Sequence, residues 1–193
     1  MSSPKTGLFF GSFNPVHVGH MIIAQHLLNE TDLKNIWFVV SPQNPLKDKR
    51  TLADDHDRFY LVQEAIGDHP HMRASQVEFQ LPQPSYTIDT LTYLKEKYPE
   101  KHFCLIMGGD NLKHLHKWKN YELLLRDHHI YVYQRPEVGA TQFDDHPSVR
   151  FSTATQMNIS ATHIRKLLRE GKSVQYLVPE AVFQELQTSN LYR

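Results

Sequence analysis

Two histidines three residues apart, His17 and His20, close the decapeptide GSFNPVHVGH at residues 11–20. At this spacing on a helix they can face one ligand. Imidazole N–H groups can donate to phosphate oxygens, and a protonated ring adds positive charge. The preceding run, Gly7 to Phe10, is short, apolar and strand-like. The run that follows, Met21 to Leu28, has the length and apolar density of a buried helix. A strand, a glycine-bearing turn and a helix start make a phosphate site, because the first helical amides lack intrahelical partners and the positive dipole end lies there. An isolated H-x-x-H is more often a capping or packing pair; its place directly after a strand and a Gly-Ser turn favours the ligand role. The same spacing could share a zinc ion, but no third or fourth ligand of suitable spacing stands nearby, so no metal site is expected.

A second segment, Ile159-Ser160-Ala161-Thr162-His163-Ile164-Arg165-Lys166, opens with a natural N-cap, Ser160. Arg165 follows about one and a half turns in, and guanidinium suits bidentate phosphate contacts. Alone this would be an ordinary capped surface helix. Two phosphate-ready helix starts in one small chain suggest a triphosphate held between them.

The elements that must position these residues alternate along the chain. Strand-like runs occur at Asn35–Val40, Met72–Phe79, Phe103–Met107, Ile130–Tyr133 and Val149–Phe151. Helical spacing covers Asp54–Ile66, Tyr86–Tyr98, Tyr121–Leu125, Ser160–Arg169 and Pro179–Leu186. Uninterrupted alternation predicts an α/β fold, a doubly wound and mostly parallel sheet with helices on both faces. Its ligands should lie beyond the carboxyl ends of the strands. Residues 1–193 read as a single domain in which 159–193 is a C-terminal helical segment.

Bulk properties narrow the classes. With 21 basic and 21 acidic residues the formal charge is zero, so no broad attraction to nucleic acid or to a membrane surface is expected. No run reaches the ~18 apolar residues of a membrane span and the first residues lack an apolar targeting core, so a cytoplasmic protein is the default. A single cysteine, Cys104, excludes an internal disulfide and reads as a buried, inert thiol.

The decapeptide resembles the T/H-x-G-H signature of the nucleotidyltransferase superfamily, and ISATHIR resembles its distal I-S-S/T-x-I-R motif. Three further segments narrow the resemblance: SYTIDTL at Ser85–Leu91, GGDNL at Gly108–Leu112 followed by Trp118, and Tyr176-Leu177-Val178-Pro179. Together they are similar to the bacterial nicotinate-nucleotide adenylyltransferase family over nearly the whole chain. That resemblance implies a Rossmann-like nucleotidyltransferase fold. It also implies transfer of the adenylyl group of ATP to nicotinate mononucleotide in NAD biosynthesis, with magnesium accompanying ATP and pyrophosphate released. His17, His20, Lys47 and Arg165 would be catalytic. Gly11, Ser12, Phe13, Ser160 and Thr162 would join the histidines and Arg165 around the phosphates. Ser85, Tyr86, Thr87, Gly108, Asp110 and Trp118 would hold the nicotinate nucleotide.

The residue chemistry agrees. Helix-start amides at Tyr86 and Thr87 favour a carboxylate. An ionised Asp110 accepts from ribose hydroxyls, and a Trp118 face can stack on the pyridine ring for about 1–3 kcal/mol. Ser85 and Trp118 also read as a plain N-cap and a core-edge aromatic. The chain departs from the family pattern at Asn14, where Asp is commoner, at Leu46, where His precedes the loop lysine, and at Ala161, where Ser is frequent. Nicotinamide mononucleotide or phosphopantetheine as acceptor, a catalytically silent nucleotide sensor, and self-association into a homo-oligomer stay open at this point.

Overall fold

The computed structural model describes residues 4–42, 52–134, 139–153 and 157–193. Six strands, β1 (Lys5–Gly11), β2 (Leu33–Val40), β3 (Met72–Ser75), β4 (His102–Gly108), β5 (Ile130–Tyr133) and β6 (Val149–Ser152), form one sheet in the order β3-β2-β1-β4-β5-β6. Every pairing is parallel. Alternate residues of each strand enter opposite cores. Phe9, Phe38 and Ile106 pack with helices α1 (Val18–Glu30), α2 (Asp55–Ile66), α6 (Ala161–Arg169) and α7 (Glu180–Thr188). Leu8, Val39 and Leu105 pack with α3 (Thr87–Lys97), α4 (Gly109–Lys113) and α5 (Tyr121–Asp127). The predicted doubly wound architecture is thus observed.

Strand order reverses between β1 and β4: the chain leaves β1 toward β2 and β3, and leaves β4 toward β5 and β6. Loops after these two strands diverge and open a crevice at the carboxyl edge. Phe9 faces Ile106 across the ladder, so Gly11 and Gly108, each two residues further on, end the strands side by side there.

Two expectations need correction. The strand expected over Met72–Phe79 stops at Ser75, and Val77–Gln80 is a 3-10 turn. Gln76, at φ −100° and ψ 24°, leaves the extended region and turns Glu78 into the interior. Between Gly109 and Lys117, α4 and a further 3-10 turn were not foreseen; they are too short for helical periodicity to register. Cys104 is fully buried, and desolvation pushes its thiol up to about 11, in keeping with an inert role.

Candidate active site

The turn after β1 is built around Phe13. A Cβ at Gly11 would lie 2.9 Å from the Phe13 ring, so only glycine lets that ring fold back over the strand end. Phe13 itself has φ 42°, a conformation that costs a non-glycine residue about 1–3 kcal/mol. Its buried ring meets Phe9 edge-on at 5.8 Å and His20 at 5.0 Å. Phe13 is therefore a support for His20, and only its backbone is left to meet a ligand.

His17 is the N-cap of α1, in extended conformation. Its backbone N–H donates to Nδ1 of His20 at 3.2 Å, and the two rings stack with centroids 3.7 Å apart. With Nδ1 accepting, the neutral His20 ring carries its proton on Nε2, the donor a phosphate oxygen needs. The N–H of Val18 is taken by the carbonyl of Leu177 at 3.1 Å. One helix-start amide that the sequence reserved for phosphate is thus occupied by the Tyr176–Pro179 segment.

Two arginines grip this turn. Arg165 donates through Nη1 to the Asn14 carbonyl at 2.7 Å and through Nη2 to the Thr162 hydroxyl at 3.3 Å. Its Nε is buried with no partner among the described residues. Ser160 caps α6 as expected, accepting from the His163 N–H at 3.2 Å. From the other side Arg58, 1% exposed, donates to the carbonyls of Ser12 at 2.6 Å, Ser41 at 2.9 Å and Ala53 at 3.0 Å. Burial pulls the pKa of both guanidinium groups down. Neither forms an ion pair among the described residues: backbone carbonyls and the Thr162 hydroxyl accept from their donors, and the charges of Asp54 and Asp55 favour the Arg58 cation. The buried Tyr192 hydroxyl near both makes no hydrogen bond among the described residues. Asn14 is 2% exposed, and its Oδ1 accepts from the Ala53 N–H at 3.1 Å. That N–H needs only an acceptor, which Asn supplies as well as Asp. Leu46 and Lys47 lie outside the described residues.

On the other flank of the crevice, α3 begins at Thr87 with Tyr86 as N-cap. The buried Ser85 hydroxyl donates to Glu78 at 3.0 Å, so it props the turn from inside. Lys119 pairs with Asp89 at 2.8 Å and stands 4.9 Å above the Tyr86 ring. It thereby ties the Trp118 segment to the start of α3. Trp118 is half-buried against the sheet's second core. At the end of β4, Gly108 lies against Oδ1 of the exposed Asp110 and the Tyr133 ring, where a Cβ would stand 2.5 Å and 3.2 Å from them.

Sequence reading missed Arg58 and Glu78. Arg58 had a signal: with Leu61 and Val62 it occupies the inward stripe of α2, where a cation must find partners. Glu78 sat inside a run read as strand and gave none. No group of three or more His, Cys, Asp or Glu able to hold a metal converges among the described residues. The donor set, imidazole, amide and guanidinium, suits anions.

Comparison with known proteins agrees with this geometry. Residues 8–167 match the model of the cytidylyltransferase-like family. A protein of Flavobacterium johnsoniae named "Probable nicotinate-nucleotide adenylyltransferase" is 49% identical over 191 residues, 98% of this chain and 99% of that one. A Cytophaga hutchinsonii protein of the same name is 50% identical over 188 residues, 97% of each. The nicotinic acid mononucleotide adenylyltransferase of Plasmodium falciparum, solved with NaAD, superposes with a TM-score of 0.81 at 18% identity, covering 98% of this chain and 97% of that one. The last likeness is one of fold; with the family match and the full-length relatives, it leads to one conclusion. The chain belongs to the cytidylyltransferase-like family, among the nicotinate-nucleotide adenylyltransferases.

Proposed function

We propose that this chain transfers the adenylyl group of ATP to nicotinate mononucleotide, yielding nicotinate adenine dinucleotide and pyrophosphate, in NAD biosynthesis. One observation carries the reading: the reversal of strand order sets the His17–His20 pair, held by Arg165 through Asn14, beside the Gly108–Asp110 strand end. A phosphate-binding half and an acceptor-binding half thus share one crevice.

In this reading a phosphate oxygen of the mononucleotide attacks the α-phosphorus of ATP in line, and the bond from that phosphorus to the bridging oxygen of the β-phosphate breaks. The electron pair leaves with pyrophosphate. The attacking oxygen is already anionic, so no general base is required, and catalysis is positioning with charge stabilisation. His17 and His20 meet the α- and β-phosphates, with Ser12 and the backbone of Gly11 and Phe13 at the turn, and Lys47 assists. Arg165, Ser160 and Thr162 hold the outgoing pyrophosphate. Tyr86 and Thr87 offer amides to the nicotinate carboxylate, Asp110 accepts from ribose, Trp118 stacks on the pyridine ring, and Ser85 holds the turn that presents them. Magnesium carried with ATP would supply charge neutralisation there, with the nucleotide rather than a cluster of protein carboxylates as its holder, since no metal-holding group of His, Cys, Asp or Glu converges among the described residues. No described helix is long and apolar enough to cross a membrane, and we place the reaction in the cytoplasm.

The test is pyrophosphate release from ATP that depends on the mononucleotide, with acid and amide acceptors competing in one tube. Release without any acceptor dependence would sink the reading. His20→Ala should lower kcat roughly 100–1000-fold, about 3–4 kcal/mol, by comparison with loss of an oxyanion-hole donor. Near-normal kcat in that variant removes His20 from the machinery.

A further inference from the structure

Glu78 lies on the 3-10 turn after β3 and is only 2% exposed. A carboxylate in such a place is costly to bury and persists only when its oxygens are satisfied. Two hydroxyls flanking the start of α3 do so: Thr90 donates to one oxygen at 2.8 Å and Ser85 donates to the other at 3.0 Å. The Ser41 hydroxyl, after β2, also favours the charged form of the carboxyl. The backbone carbonyl of Glu78 accepts from the Gln83 side chain at 2.9 Å. Ser41 in turn donates its N–H to the carbonyl of Gly11 at 2.9 Å. Glu78 thus ties the turn after β3 to both sides of the turn that opens α3.

The pattern is selective. Ser85 and Thr90 bracket Tyr86 and Thr87, whose amides begin α3, and both hydroxyls end on the same carboxylate. Hydrogen bonds to an ionised acceptor are shorter and about twice as strong as neutral ones, so this group fixes the turn more firmly than an amide or hydroxyl would. Burial pushes the Glu78 carboxyl upward in pKa, against the three hydroxyls that lower it. The group is held at some cost in stability, a pattern usual where geometry is needed for binding.

We propose that Glu78 is a positioning residue for the acceptor nucleotide: through Ser85 and Thr90 it fixes the α3 start that receives the acceptor's carboxylate. This inference rests on the adenylyl-transfer reading. Glu78 itself touches no substrate. Its effect falls on one substrate, because the His17–His20 pair is held independently by Phe13 and the two arginines.

The experiment is steady-state kinetics of full-length Glu78→Gln and Thr90→Val with ATP and nicotinate mononucleotide varied separately. Gln keeps the shape but replaces one acceptor oxygen by a donor, and Val removes one of the two hydroxyls that donate to it. The KM for the mononucleotide should rise about tenfold in Glu78→Gln and roughly three- to tenfold in Thr90→Val, one hydrogen bond's worth. The KM for ATP should stay within about twofold, and saturating kcat within about threefold. A merely structural carboxylate would leave both KM values alone in the folded variants, or move both together; either result overturns the proposal. If Glu78→Gln does not fold, Thr90→Val decides. Failure of the adenylyl-transfer reading is separate, since the unmodified enzyme would then make no dinucleotide in the same assay.

Discussion

At the amino end of the sheet Asp32 is paired by Lys5 at 2.6 Å and Arg150 at 3.3 Å and accepts from the Tyr131 hydroxyl. At the carboxyl end the buried Arg58 and the half-buried Arg165 donate to backbone carbonyls, without an ion pair among the described residues. The first cluster gathers charge from the starts of strands and the second from two helices, α2 and α6. One end closes its charge in pairs with a carboxylate, and at the other the guanidinium groups meet mainly neutral carbonyls around the turn after β1. Paired surface charge contributes little energy, about 0–1 kcal/mol. Buried and unpaired charge is costly, which makes sense where a ligand's phosphates would complete the set.

Arg58 is where this contrast is broken most severely. Arg58→Met keeps the apolar stem and deletes the donors, leaving the carbonyls of Ser12, Ser41 and Ala53 without them. We expect a loss of about 3 kcal/mol in urea unfolding, at about 1–3 kcal/mol per stranded buried group less partial relaxation. Activity should fall with it, because the phosphate turn loses its inner clamp. A variant as stable as the parent would mean that the carbonyl contacts are incidental.

Asn14 sharpens the comparison at smaller cost. Asn14→Ala removes the acceptor for the Ala53 N–H and should destabilise by about 1–2 kcal/mol. Asn14→Asp keeps it and should stay within about 0.5 kcal/mol of the parent, measured by thermal unfolding at equal ionic strength. Equal losses in both variants would show that the side chain does more here than accept one hydrogen bond.

The smallest effect belongs to the closed end. Burial works to raise the Asp32 carboxyl, but hydrogen bonds from Lys5 and Tyr131 and the charges of Lys5 and Arg150 outweigh it and bring it to about 2. A depressed folded pKa means that the stabilisation is fully present above the ordinary value near 3.8 and is lost as pH falls toward 2. Asp32→Asn should therefore flatten the acid limb of stability in that window. At neutral pH it should cost no more than about 1 kcal/mol, since the carboxylate is half-exposed, and kcat should not change. A marked fall in kcat would tie this end to the site.

Much of the site was legible because its signals are local. Gly11, His17 and His20 lie within one strand, turn and helix start, and Ser160 with Arg165 within one capped helix, so spacing alone aligns them. The 3-10 turn at Glu78 was misread because Val77 and Phe79 look like strand residues, and only the backbone at Gln76 breaks the run. Arg58 was passed over as one more cation on a helix. Arg58 reaches Ser12, 46 positions away, and Glu78 reaches Ser85 and Thr90, 7 and 12 away, separations no local pattern records.

The sequence by itself determined the alternation that makes a parallel sheet and the helix starts at His17 and Ser160 whose chemistry suits phosphate. These follow from propensity, capping and periodicity, which act over a few residues. Only the tertiary structure decided that Leu177 takes the Val18 amide, that Phe13 supports His20, that one buried arginine joins the loops after β1 and β2 to α2, and that one buried carboxylate ties the turn after β3 to the start of α3. The reason is physical: a buried polar group must be satisfied by whatever the fold brings within about 3 Å, and chain order does not specify which groups those will be.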